Sequence, residues 1–438
     1  MLYSSMVKRR RYVNAFEQVT DASDIKHAGA SAGNHISTAS ATPLPAKHTG
    51  TLDTGQIGTL DIGGTWIRSA VVTLDGAILS RSRRPMPQKE ESHAVVDTCL
   101  DALGEAQMQA DCHALERIGV SVTGPVDPRT GKLFTPPNTG TILAGLELGE
   151  ALSRAACLEV RVDRDTNAAA LGEHRCGSAR GMANFVFITV STGVGGAVML
   201  DGRLIRGADG VAGEIGHICV ERGGPRCGCG RRGCVEAIAS GPSIARRAEA
   251  ELRAAEGAEF RAVEGTEFRA AENSTRTCTA TKSDEGSAAA NVAARAGEVT
   301  ATSISSQAPS FSLQTSSICS QASSFSSQTS SPLAERLRSG RPLTGKDVDE
   351  CAAAGDPHAI RALDAAAAAV ASMCVDMANV FNPERIVVGG SVAITHPDWI
   401  ARASELVARE ALVPANREGI VVPAELGDDV SLVGAAFL

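Results

Sequence analysis

Four residues near the middle of the chain have the types and spacing of a metal site. His217 is followed after nine residues by Cys227-Gly-Cys229, and after four more by Cys234. Three thiolates and one imidazole make a complete tetrahedral set for zinc, with no coordination position left open, so the metal would be structural. Gly228, Gly230 and Gly233 allow the tight turns that bring the sulfurs together. The competing reading is three free thiols in a glycine-rich loop, a cluster open to oxidation without a metal. Cys219 lies two residues beyond His217 and could compete as a ligand; it is read as core packing, the commoner fate of a lone buried thiol.

Three glycine-bearing turns each follow a β-rich run: Asp61-Ile-Gly63-Gly64-Thr65, Ser191-Thr192-Gly193-Val194-Gly195-Gly196, and Gly389-Gly390-Ser391. Glycine lets backbone N–H groups approach a polyphosphate closely, and a threonine hydroxyl adds a donor. One such turn is as readily a tight hairpin; three of them, two carrying threonine, point to nucleotide binding. Asp61 stands at a strand end, where it could hold Mg²⁺ through water. Phosphoryl transfer also needs a base beside the acceptor hydroxyl. Asp165, in Asp-Arg-Asp165-Thr-Asn, stands where a strand gives way to a helix and fits that role; Asp165 or Thr166 fits a helix N-cap equally well. Glu214 precedes His217 by three residues and Glu236 follows Cys234 by two, so the knuckle carries two carboxylates into one region. They suit a hydroxyl-rich ligand, or are simply solvated.

The elements that must position these groups are legible from periodicity. Order begins at Gln56, and Trp66–Leu74 and Ala77–Arg81 flank Asp75-Gly76, a hairpin signal. A helix is expected around His93–Gln109, and strands at Ile118–Val122, Glu159–Val162, Phe185–Val190 and Gly195–Leu200. Helical character returns over Gly345–Cys374, before a strand from Arg385. Hairpins mixed with strand–helix units imply an α/β fold with a mixed sheet. Residues 1–55 lack sustained periodicity and read as a disordered extension. A smaller N-terminal α/β domain is expected over 56–163, which the C-terminal segment can rejoin, and a larger one over 164–438 bearing the knuckle. An eight-residue unit repeats over 253–268, and SSQAPSFSLQTSS at 305–317 is nearly duplicated at 319–331. Such serine-rich duplication buries too little apolar surface to offset its ordering entropy, so about 252–334 reads as a disordered insertion.

The 438 residues allow two domains of ordinary size plus surplus, and the 43% hydrophobic content allows a sizeable core. Aromatics reach only 3%, so packing falls to Ala, Val, Ile and Leu. A net charge of −8 gives no global field for nucleic acid, and an anionic substrate then needs local donors. The basic run Lys8–Arg11 has no apolar stretch after it, which argues against a secretory signal. The apolar run from Ala365 to Phe381 is alanine-rich, is broken by Asp376, and reads as a buried helix rather than a membrane span. Scattered cysteines suit a reducing cytoplasm.

Taken together, LDIGGTWIRSA, IGVSVTGPVD, DRDTNAAALGE, STGVGGAV, GVAGEIGH, CGCGRRGCVE and NPERIVVGGSV resemble the ROK family of repressors, open reading frames and kinases. The resemblance covers 57–250 and 343–438. It implies the actin-like ATPase (ribonuclease H-like) fold, with two α/β domains and a cleft between them, and the cofactors ATP, Mg²⁺ and structural Zn²⁺. It makes Asp165 the base toward a sugar 6-hydroxyl, and Asn138, Glu214, His217 and Glu236 the sugar contacts. His217 would also ligate zinc with Cys227, Cys229 and Cys234. Asp61, Gly63, Gly64, Thr65, Thr192, Gly193, Gly195 and Gly196 would hold ATP phosphates, and Gly389 and Gly390 would lie near adenosine. Two residues depart from the family pattern: Arg164 stands where an Asn usually precedes the catalytic Asp, and Ala197 where a third glycine is frequent. The stretch around the knuckle is most similar to bacterial N-acetylmannosamine kinases, which implies N-acetylmannosamine 6-phosphate formation in sialic acid breakdown; family glucokinases share most of the motif. Family repressors instead carry an N-terminal winged helix-turn-helix, and residues 1–55 lack two adjacent amphipathic helices. The expectation is therefore a cytoplasmic kinase, a homodimer by default, whose partners are sugar and ATP and not nucleic acid or membrane.

Overall fold

The computed structural model describes residues 55–87, 92–134, 143–255 and 331–438. The N-terminal extension to residue 54, Asn138 and residues 256–330 of the insertion lie outside the described residues. Both edges of that insertion depart from expectation: residues 252–255 continue a helix, and another helix already begins at Pro332.

In chain order the first sheet uses β1 (Gln56–Ile62), β2 (Trp66–Thr73), β3 (Ile78–Pro85), β4 (Arg117–Val122) and β7 (Glu159–Arg164). Between the last two, β5 (Val126–Asp127) and β6 (Lys132–Leu133) form a small antiparallel pair. The spatial order is β3-β2-β1-β4-β7. β1, β2 and β3 pair antiparallel, whereas β1, β4 and β7 run parallel. The second sheet uses β8 (Phe185–Val190), β9 (Val194–Leu200), β10 (Arg203–Leu204), β11 (Arg385–Gly389) and β12 (Val421–Pro423), in the order β10-β9-β8-β11-β12. Its pairing repeats the first: an antiparallel meander on one side of β8, and parallel β8, β11 and β12 on the other. The Asp75-Gly76 hairpin forms as expected, with Gly76 at φ +89°.

Helices cover both sheets. They are α1 (Ser92–Gln109), α2 (Leu148–Ala156), α3 (Asp165–Cys176), α4 (Val235–Ala239), α5 (241–255), α6 (Pro332–Arg338), α7 (Gly345–Ala353), α8 (Pro357–Phe381), α9 (Pro397–Glu410) and α10 (Val430–Ala435). The single helical stretch expected from 345 is thus two helices. Gly355 turns at φ +86°, Asp356 caps the N–H groups of His358 and Ala359, and Pro357 opens α8. Among the described residues, α8 is long and apolar enough to cross a membrane, but half of its apolar window is buried. Its alanine face packs with Val348, Met373 and Trp399 in the core of the second sheet.

Helix α3 is fixed by a close approach. α10 crosses α3 and also packs on the first sheet. At Gly434, an added Cβ would stand 1.7 Å from the Ala168 carbonyl oxygen. The contact therefore admits only glycine without moving a helix. Gly434→Ala is expected to destabilise the fold by about 2–3 kcal/mol, because overpacking at rigid backbone cannot relax through a rotamer. Chemical denaturation checks this; an unchanged midpoint would show that the crossing gives way.

Candidate active site and zinc knuckle

A cavity of about 750 Å³ opens where the C-terminal ends of β1, β4, β7, β8, β11 and β12 converge. That volume lies within the range of small-molecule sites. The strand ends deliver Asp61, Thr123, Asp165, Ser191, Gly389 and Ala424 to its wall.

Asp165 is the first residue of α3, and the helix cap is Arg164, which makes no side-chain capping bond. The carboxylate is therefore not tied up as an N-cap. Its Oδ1 accepts from the Thr166 N–H at 2.7 Å, and its Oδ2 accepts from the Thr123 hydroxyl at 3.2 Å. The Asp165 pKa is raised to about 6, first by burial and then by the negative charge of Asp61; the Thr166 and Thr123 hydrogen bonds and Arg164 oppose the rise. A half-buried carboxyl on a cavity wall, titrating that near neutrality, can exchange a proton with a ligand hydroxyl.

Asp61 is itself engaged. Arg68 Nε and Nη2 both donate to Asp61 Oδ2, at 3.0 and 2.6 Å, while Ser121 donates to Oδ1 at 2.7 Å. Arg68 also donates to the Asp428 carbonyl at 2.7 Å and lines the cavity. The sequence reading missed Arg68, yet hairpin register carries the signal: Ile62 faces Ile67 across the turn, so Asp61 faces Arg68. Gly63, Gly64 and Thr65 form that turn, with the Gly63 N–H on the Trp66 carbonyl at 3.0 Å, and they stand outside the cavity lining.

The second glycine turn does line the cavity, through Thr192, Gly193, Gly195 and Gly196. Glu236 grips it: Oε2 accepts the Val194 N–H at 3.1 Å. The third turn lies beside it, with Ser191 and Ser391 hydroxyls 2.8 Å apart. Gly390 takes φ +93°, and a Cβ there would stand 2.4 Å from the Val190 carbonyl oxygen, so only glycine fits between the two turns.

Glu214, His217 and the cysteines lie against the second turn: a Cβ at Gly216 would stand 1.8 Å from the Val194 carbonyl oxygen. Ligand atoms of His217, Cys227, Cys229 and Cys234 all lie within 4.8 Å of one another. His217 Nδ1 is 3.5 Å from Cys227 Sγ, and Cys229 Sγ is 3.7 Å from Cys234 Sγ. A zinc tetrahedron with Zn–S near 2.3 Å has S···S edges of about 3.7 Å, so these separations fit the metal. The ten described cysteines are all free, which agrees with metal rather than disulfide chemistry. Nδ1 faces the sulfurs, and Nε2 points the other way, 4.0 Å from Glu214 Oε2. Cys219 does not belong to the set, and it is exposed rather than core packing, its thiol on the Arg232 carbonyl at 3.3 Å. The turn carrying it packs through backbone, which leaves the side chain outside. Ala197, by contrast, is fully buried in β9.

The ROK family pattern matches residues 57–310 and 317–438. The N-acetylmannosamine kinase of Pasteurella multocida (strain Pm70) is 42% identical over 185 residues, 42% of this chain and 60% of that kinase. This chain thus spans less than two thirds of the relative it matches. A ROK family glucokinase from Streptomyces griseus, solved with glucose and AMPPNP, is 27% identical, with 87% of this chain and 98% of that one covered and a TM-score of 0.60. A ROK family transcriptional regulator, a homologue of the Escherichia coli MLC protein, shares the fold at 21% identity and a TM-score of 0.62 over 88% of this chain and 78% of its own. The two mixed sheets are those of the actin-like ROK structures.

Cys229→Ser is expected to lower bound zinc from one per chain to a small fraction of that, since three ligands hold the ion poorly. Elemental analysis after extensive dialysis checks this; full zinc retention would remove Cys229 from the set.

Proposed function

This chain belongs to the ROK family, and from that premise we propose that it is an ATP-dependent sugar kinase. Its acceptor is the 6-hydroxyl of N-acetylmannosamine, and its product N-acetylmannosamine 6-phosphate, formed in the breakdown of sialic acid. The observation that supports the reading most is that Asp165, with its raised pKa, lines one cavity together with the second and third glycine turns and with Glu214, His217 and Glu236. The choice of N-acetylmannosamine over glucose rests on the relatives and on the sequence around the knuckle.

The mechanism follows from these positions. Glu214, Glu236 and the Nε2 of His217 receive and orient the sugar hydroxyls; His217, Cys227, Cys229 and Cys234 would hold a zinc ion, which would keep the imidazole ring in place. The second glycine turn, apart from the Val194 N–H held by Glu236, offers backbone N–H groups to the phosphates, and Gly390 brings the third turn close to the nucleoside. Mg²⁺ supplies charge neutralisation on the phosphates when bound. Asp165 accepts the proton of the 6-hydroxyl as its oxygen bonds to the terminal phosphorus; the bond from that phosphorus to the bridging oxygen breaks, and ADP leaves with the electron pair. Arg68, held by Asp61, places a cation on the same wall.

A coupled assay of ADP release across N-acetylmannosamine, mannose, glucose and N-acetylglucosamine should show the highest kcat/KM for N-acetylmannosamine. Preference for glucose by orders of magnitude would make the chain a glucokinase instead.

Only the ionised Asp165 can accept a proton. With its pKa raised to about 6 by burial and Asp61, kcat/KM should rise with pH through 6 and level off above 7, falling to about a tenth of the plateau at pH 5. Asp165→Asn should lower kcat by about 10²–10⁴-fold without loss of zinc. Near-normal turnover by that variant would assign the base elsewhere.

A further inference from the structure

Arg164 is placed where it bears on the cavity. It ends β7, one residue before Asp165, is 4% exposed, and lines the cavity. Its Nη1 donates to Glu214 Oε1 at 2.5 Å, and its Nη2 donates to the Ala212 carbonyl. Nε is buried without a hydrogen-bond partner. The loop is folded onto the guanidinium: Gly213 adopts φ +95°, and a Cβ there would stand 3.0 Å from Nη2. The neighbouring carboxylate Asp163 does not neutralise this side chain. It is committed to Arg206 Nε at 2.8 Å, to the Asn167 amide at 2.7 Å, and to the Arg164 backbone N–H at 2.8 Å. Among the described residues Glu214 is the carboxylate in ion-pair contact with the guanidinium, its side chain 53% exposed, while Asp165 feels the same charge without touching it.

These contacts change what the sugar end of the pocket can recognise. A free carboxylate accepts from two vicinal hydroxyls. Here Oε1 of Glu214 already receives a charge-assisted bond, and a fixed cation stands beside it. Guanidinium N–H groups only donate. An acyl carbonyl oxygen only accepts, and accepts more strongly than a hydroxyl oxygen. We propose that Arg164 is the specificity-determining residue of the acceptor pocket: its guanidinium, paired with Glu214, reads the acyl carbonyl of an N-acylated amino sugar and so disfavours the plain hexose. This deepens the kinase reading above and rests on it.

The comparison that isolates the acyl group is N-acetylmannosamine against mannose. The full-length protein should prefer the acylated sugar in kcat/KM. Arg164→Asn should lower that ratio at least tenfold, through a higher KM for N-acetylmannosamine, while KM for mannose moves less. Zinc content and thermal midpoint report whether the variant is folded. Should Arg164→Asn not fold, Arg164→Lys keeps the charge opposite Glu214 but loses the fork, and should lower the ratio at least threefold. A ratio unchanged within twofold in a folded variant overturns the proposal, as does a wild-type preference for mannose. Absence of phosphorylation of any sugar by the wild-type protein brings down the kinase reading, and this proposal with it. Turnover whose preference ignores residue 164 brings down this proposal alone.

Discussion

Parallel pairing is the constraint on which the site depends. β1, β4 and β7 run one way in the first sheet, and β8, β11 and β12 do so in the second. Their carboxyl ends therefore emerge together, and a crevice at such ends is where open α/β sheets receive ligands. Because the two sheets share one strand order, each delivers a hairpin turn after its first strand and further loops after its parallel strands. The β1–β2 turn and the β8–β9 turn are the same structural position used twice. Only the second lines the cavity with its glycines; the first contributes through Asp61 at the strand end.

The charges at those ends decide what the crevice can do. Five acidic residues, Asp61, Asp165, Glu214, Glu236 and Asp428, line one cavity in a chain of net charge −8, a poor host for a polyanion unless they are occupied. Three of them are. Asp61 is held by Arg68 and Ser121, Glu214 by Arg164, and Glu236 by the backbone of the second glycine turn. Asp165 has a hydroxyl and its neighbour's N–H, no ion-pair partner among the described residues, and a pKa raised by burial first and then by Asp61.

Much of this was legible in the sequence, for identifiable reasons. The strands, the Asp75-Gly76 hairpin and the knuckle's four ligand positions follow from period, turn chemistry and ligand spacing, which are local. Cys219 was misread because burial is a tertiary property: two residues from a ligand, its side chain faces out. The break at Gly355-Asp356-Pro357 was visible as punctuation, yet alanine-rich helix on both sides concealed it. Arg164 could be seen to break a pattern, but not that it would take the carboxylate of Glu214, fifty positions away in the chain.

The knuckle does more than close a loop. Cys227 Sγ lies 3.9 Å from Glu236 Oε1, and the other oxygen of that carboxylate holds the Val194 N–H of the second glycine turn. His217, through opposite ring nitrogens, faces both the sulfurs and Glu214. A metal bound among these thiolates would therefore brace two cavity carboxylates that are not its ligands, Glu214 and Glu236, together with the second glycine turn. The four cluster residues are thereby part of the cavity's geometry and not an appendage to it.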